Sequence, residues 1–349
     1  MKLKTLLLGT AAAFAVAGSA QAADLAVAES VEYVKVCDAY GAGYFYVPGS
    51  DVCLKIGGFV EFRTFFFDDS LLLNYGDTYE ASWDFFTRTS VNFTAKWMTD
   101  WGAATVYVDY RADVDEDSQY SSSELAYLDT GYLKIGGLKA GWDGSTYDWG
   151  FNGLIGYPSG FDHDTHQQQI QWSTTLGGIG FFLAAEDPRD NVGASSLYTG
   201  DMPDIVAALT GSTGPFSWKW SAAVTDTIYG TGYGTQLGVG YEQGGNFLKV
   251  QAAVSNDAGA PYGANLDPNA SGDIAWHVAA QGGIAWTSAF STLLGVGYRE
   301  QGSFNEWEAS AEADWQLAKG VQAGIAVNYD DPNDGDATTE VQARIKAGF

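Results

Sequence analysis

The stretch SWDFFTRTSVNFTAKWM, residues 82–98, alternates from end to end. Trp83, Phe85, Thr87, Thr89, Val91, Phe93, Ala95 and Trp97 share one side of an extended chain. Asp84, Arg88, Ser90, Asn92, Thr94 and Lys96 share the other. A period of two is the signature of a strand with one apolar and one polar face. A half-buried soluble sheet alternates in the same way, so the period alone leaves two architectures open. Arg88 stands in the middle of the polar face and calls for water there, which the lumen of a wide barrel supplies. Trp83 and Trp97 stand near the two ends of the apolar face, the spacing of aromatic girdles at two membrane interfaces.

The pattern repeats outward along the chain. Leu54, Ile56, Val60, Phe62 and Phe66 oppose Lys55, Glu61 and Arg63. Trp307, Ala309, Ala311, Ala313 and Trp315 oppose Glu308, Ser310, Glu312, Asp314 and Gln316. Val341, Ala343, Ile345, Ala347 and Phe349 oppose Gln342, Arg344 and Lys346. Sixteen spans are expected to be strands: 54–66, 82–98, 102–112, 124–135, 138–143, 167–176, 179–187, 203–210, 215–225, 235–243, 246–255, 272–283, 291–300, 304–317, 320–330 and 338–349. Short connections at 99–101, 136–137, 177–178, 211–214, 244–245 and 318–319 interleave with longer ones at 67–81, 113–123, 144–166, 188–202, 226–234, 256–271 and 331–337. The link near 301–303 is a short exception. Sorting of short turns to one rim and long loops to the other is the asymmetry of an outer-membrane barrel. An even strand count puts both ends on the periplasmic side. The terminal Phe349, following a strand with its apolar face outward, matches the C-terminal aromatic read by outer-membrane assembly machinery.

Residues 1–22 read as a secretory signal peptide. Lys2 and Lys4 precede an apolar run from Leu6 to Val16, and Ala20-Gln21-Ala22 is a small-x-small cleavage site. Cleavage after Ala22 leaves 23–349 as one β-barrel domain, with 23–53 leading into the first strand. Beyond residue 22 no apolar run reaches the ~18 residues of a spanning helix. Lipid tolerates only helices and closed barrels, because it satisfies no backbone polar group. The net charge is −26, from 17 basic and 43 acidic residues; loss of Lys2 and Lys4 makes it −28. Such a chain is a poor ligand for nucleic acid or anionic membrane surfaces. The acidity fits either plain solubility or acidic loops around a pore that mildly favours cations.

The two cysteines, Cys37 and Cys53, are expected to pair, since an exported chain meets an oxidising compartment. No GxSxG, HExxH or phosphate-cradling loop occurs, so the chain is not read as an enzyme. His163 and His166 beside Asp162 and Asp164 could hold a metal, but the loop is polar throughout and no cofactor is assigned.

Residues 31–60, VEYVKVCDAYGAGYFYVPGSDVCLKIGGFV, resemble the start of the alphaproteobacterial porin family, the rhizobial and Brucella-type porins. Leu133–Trp142 and Glu186-Asp187-Pro188-Arg189-Asp190 resemble it less closely. The resemblance implies an outer-membrane homotrimer of sixteen-stranded antiparallel barrels, each with a water-filled pore and one long loop folded inward as a constriction. The Trp and Tyr density of 142–172 departs from the family pattern.

On that architecture Arg63, Arg88 and Arg111 share the inward parity of three adjacent strands and should stand at similar depth on the pore wall. Glu61 and Asp109 lie one inward step below their arginine neighbours. The loop 144–166 would face them with Asp148, Asp162 and Asp164. Arginine against carboxylate across the narrowest point would set up a transverse field that orients polar solutes. A plainer reading has the arginines paired with strand neighbours and water. Asp68-Asp69, Asp113–Asp117 and Asp330–Asp336 are external solvated acids, or loose Ca2+ or Mg2+ sites bridging to lipopolysaccharide. The leading function is passive diffusion of small hydrophilic solutes. The alternatives are a sugar- or anion-selective channel using Trp149, Phe151 and Tyr157, a secreted β-rich adhesin or carbohydrate-binding protein, and a barrel enzyme, for which no Ser/His constellation is visible.

Overall fold

The computed structural model describes residues 35–67, 83–114, 126–151, 161, 165–187, 202–227, 230–256, 262 and 274–349. The signal peptide and the start of the 23–53 segment lie outside these residues. A two-residue strand β1 (Phe45–Tyr46) precedes β2 (Cys53–Phe67), β3 (Trp83–Thr99), β4 (Gly102–Val114), β5 (Tyr127–Ile135), β6 (Leu138–Gly144), β7 (His166–Leu176), β8 (Ile179–Asp187) and β9 (Asp204–Thr213). Then follow β10 (Phe216–Thr227), β11 (Gly230–Gln243), β12 (Asn246–Ser255), β13 (Ala275–Thr287), β14 (Phe290–Gln301), β15 (Phe304–Ala318), β16 (Val321–Pro332) and β17 (Thr338–Gly348). From β2 to β17 each strand pairs antiparallel with its sequence neighbours, and β17 closes on β2 with Arg344 opposite Arg63. The sheet is therefore a closed sixteen-stranded barrel. Closure removes the free edges that lipid could not satisfy.

Each expected span contains a strand. The differences lie at the ends. The link expected at 226–234 shrinks to 228–229, because β10 runs on to Thr227 and β11 starts at Gly230. Glycines at 230, 232 and 234 present no side chains, so alternation cannot be read there. The turn expected at 211–214 contracts to Gly214-Pro215, and β13 extends to Thr287. Gly177-Gly178 and Gly244-Gly245 have φ of 60° and 83°, and 61° and 83°. Positive φ at both positions suits the tight two-residue hairpin between twisted strands.

Burial is inverted relative to a soluble protein. On β7, Gln167, Gln169 and Gln171 are 0%, 4% and 8% exposed, while Ile170 and Trp172 between and beside them are 61% and 52% exposed. Glu61, Glu186, Gln236, Gln251 and Gln281 are buried, whereas Phe62, Trp83, Leu183, Val239 and Ile325 are exposed. A continuous apolar outer belt of this size belongs in lipid. A polar interior of this kind belongs against water.

Candidate functional site

The inner wall of β17 and β2–β4 carries the arginines. Arg63 bonds to Glu61 on its own strand. Arg88 makes a two-pronged pair with Asp113 at 2.8 and 2.7 Å. Arg111 reaches Asp109 at 3.3 Å and Asp129 at 2.7 Å. The three do not share a hydrogen-bonded row. Arg88 stands opposite Glu61 and Asp113, and Arg111 opposite Ser90, so each lies one inward position along from the last. Sequence reading missed Arg344 and Lys346 on β17. Arg344 donates to Glu61 at 2.9 Å, and Lys346 stands 3.6 Å from the same carboxylate. Glu61 thus gathers three cations at the seam of the barrel. Only the closure register, invisible in a single strand, brings them together.

Asp113 is wall rather than loop. It lies within β4 and also accepts from Tyr127 at 3.0 Å. Asp330 and Asp331 likewise lie within β16. Asp330 joins Glu306 and Glu308 of β15 in a cluster of carboxylates within 4.8 Å of one another, and Arg299 of β14 pairs with Glu306 and Glu308. Asp68, Asp69 and Asp115–Asp117 fall outside the described residues.

The chain leaving β6 turns into the barrel and docks on the far wall. Ser145 Oγ and Thr146 N–H both donate to Glu186 of β8, each at 2.7 Å. Tyr262, from the connection between β12 and β13, adds a third bond to Glu186 at 3.0 Å and packs edge-on against Tyr147 at 5.3 Å. Burial and the nearby Glu186 and Asp204 push the Tyr262 phenol well up, so it remains a donor. The Tyr147 carbonyl accepts from Ser221 Oγ at 2.6 Å and from Gln236. Lys219 donates to the carbonyl of Asp148, and Lys249 to that of Gly150 at 2.7 Å. The Asp148 carboxylate accepts from the Gly150 N–H at 2.9 Å.

Glycine on the wall makes room for the loop. A Cβ at Gly238 would lie 2.3 Å from the Trp149 ring, and one at Gly297 2.3 Å from the Phe161 ring. Phe161 is further held by Gln251, which donates to its carbonyl at 2.9 Å, and by the edge-on ring of His277 at 5.5 Å. The inward-folded loop is therefore present, seated across β8 and β10–β14. Inward-parity glycines on β11 and β14 were the overlooked sequence signal for its seat. Asp162, His163, Asp164 and Tyr157 lie outside the described residues. His166 opens β7 beside Thr130, at 3.2 Å.

At the periplasmic rim Cys37 and Cys53 form the expected disulfide. It ties residues 37–53, which include β1, to the start of β2, with Tyr40, Tyr44 and Tyr46 packed about it. Phe349 donates its N–H to Gly58 at 3.1 Å and lies exposed at the rim.

A family model described as porin subfamily matches residues 24–348. The putative outer membrane protein y4fJ of Sinorhizobium fredii is 41% identical over 158 residues, 44% of this chain and 46% of that protein. Outer membrane protein IIIA of Rhizobium leguminosarum bv. viciae is 29% identical over 97% of this chain and 92% of its own. Porin Omp2b of Brucella melitensis is 35% identical over 60% of this chain and 62% of its own. The aligned stretch thus spans less than half of the first of these relatives and under two thirds of the third. Among solved structures, the outer membrane channel DcaP of Acinetobacter baumannii superposes with a TM-score of 0.70 at 15% identity, over 87% of this chain and 99% of its own; that likeness concerns the fold.

Proposed function

The chain belongs to the porin subfamily of outer-membrane β-barrels, and we propose that it works as a general diffusion channel for small hydrophilic solutes and ions. The observation that carries the reading is the inverted burial on β2, β7, β11–β13 and β15, with glutamines and carboxylates inside and Trp, Leu and Ile outside. A hydrated lumen lets a solute exchange its water for protein polar groups at little cost, and no energy source is needed. On this reading the narrowest passage lies between Arg63, Arg88 and Arg111 on one side and the inward loop bearing Asp148 on the other, a loop whose sequence also carries Asp162 and Asp164. Because each of these arginines already faces a carboxylate, their charge is largely balanced locally. The acidic surplus then gives a mild cation preference. No catalysis and no resident cofactor enter this reading. Three barrels assemble as a homotrimer in the outer membrane, among lipid and lipopolysaccharide. Ca2+ or Mg2+ associates loosely with the carboxylates of the outer mouth, Glu306, Glu308 and Asp330 among them.

Planar-bilayer recording tests the reading. Stepwise single-channel openings with a reversal potential on the cation side are expected. Folded protein that inserts and passes no current would refute the channel.

A further inference from the structure

The periplasmic end of the lumen carries a row of lysines that the passage of neutral solutes does not require. Lys96 of β3 stands opposite Thr105 of β4, Thr105 opposite Lys134 of β5, and Lys134 opposite Lys139 of β6. All four occupy one hydrogen-bonded row, next to the turns that join β3 to β4 and β5 to β6. Like charges directly opposite on adjacent strands are unfavourable, with Cβ atoms only about 5 Å apart. Lys134 and Lys139 are such a pair. Lys139 has Asp143 at 2.6 Å, whereas among the described residues no carboxylate stands within ion-pair distance of Lys134 or Lys96, and Lys134 is exposed. In a chain with so few cations this concentration is a biased placement. Nine of the fifteen basic residues beyond the signal segment lie on β17 and β2–β6.

Aromatic groups border the row on both sides. Tyr107 and Tyr132 pair one inward position away, ring centroids 5.6 Å apart, with Lys139 Nζ 5.7 Å over Tyr132. The disulfide-tied segment places the Tyr44 ring 5.4 Å from Lys96 Nζ. The three lysines stand on strands one and two separations apart, roughly 5 and 10 Å along the wall, within the reach of flexible side chains that converge on a compact multivalent anion.

We propose that this row is an anion-binding station at the periplasmic end of the channel, which holds small multivalent oxyanions of the phosphate or polycarboxylate class as they pass. The proposal rests on the channel reading and adds to it a solute class and a location. Cations are favoured at the acidic outer mouth, and multivalent anions are retained at the inner one. The carboxylates Glu312 and Asp314, on β15 six strands round the barrel from β5, do not neutralise the row in place.

The test uses inorganic phosphate on the full-length barrel in potassium chloride. Phosphate on the periplasmic side should reduce the chloride-carried current in a saturable way. The K96Q/K134Q/K139Q variant should need at least tenfold more phosphate for half-block, and the variant with arginine at the same three positions should retain the wild-type sensitivity. The single Lys134→Gln variant, at an exposed position, should show a shift in the same direction and guards against misfolding of the triple. Equilibrium dialysis of radiolabelled phosphate against the folded protein in detergent should show binding that the triple variant loses. Phosphate-insensitive wild-type current, or equal binding by wild type and variant, would overturn the station while leaving the channel intact. A barrel that binds phosphate but never conducts would overturn the channel reading and keep the site.

Discussion

Glu186 is the place to loosen the inward loop. Its side chain is fully buried and accepts from Ser145 Oγ, the Thr146 N–H and the Tyr262 hydroxyl at 2.7, 2.7 and 3.0 Å. Hydrogen bonds to a charged acceptor contribute about 1.5–3 kcal/mol each, and a donor left buried without a partner costs a similar amount. Glu186→Ala removes the two bonds that hold the start of the loop, so docking should weaken by about 3–5 kcal/mol. That is a factor of roughly 10²–10⁴ in the ratio of docked to undocked loop. The barrel wall itself should survive, because the ladder between β7, β8 and β9 is made by backbone groups. Single-channel recording should then show noisier open levels and a larger mean conductance than wild type, with Glu186→Gln falling between. Wild-type conductance and noise from folded Glu186→Ala barrels would refute the idea that this carboxylate latches the loop.

Four further outcomes are expected. Arg63→Gln, Arg88→Gln and Arg111→Gln combined should move the reversal potential toward stronger cation preference by several millivolts in a tenfold salt gradient; an unchanged potential would remove these arginines from the constriction. Gly238→Leu should displace Trp149, since even a Cβ there lies 2.3 Å from the ring, and the altered conductance should be matched by a change in Trp fluorescence. Replacing Cys37 and Cys53 by Ser should lower stability by about 3 kcal/mol on the loop-entropy model for a separation of 16 residues, read from urea unfolding in vesicles. Leu183→Arg on the lipid face should cost about 2–4 kcal/mol in the same assay.

Strand identity was legible because alternation is local. Each of β3, β15 and β17 declares its two faces within its own residues. What no single strand declares is its offset against the next. Arg63, Arg88 and Arg111 share an inward parity in sequence, yet the registers place each one position further along. Arg344 and Glu61 are 283 residues apart and meet only through closure. The loop seat was hidden for a different reason. Gly238 and Gly297 matter through the side chain they lack, so their role shows only when Trp149 and Phe161 are laid against them. The disulfide could be expected from compartment alone, whereas the latch at Glu186 needed the loop path.

The seam where β17 zips onto β2 makes completion of the molecule an all-or-nothing event. Until the last eleven strand residues have emerged, the first strand has no mate on one flank, and the half-built wall offers two raw borders to any other extended polypeptide. A chain cut short anywhere before Thr338 therefore loses the ring and not merely one stave. The cell must keep every nascent copy shielded until its tail arrives.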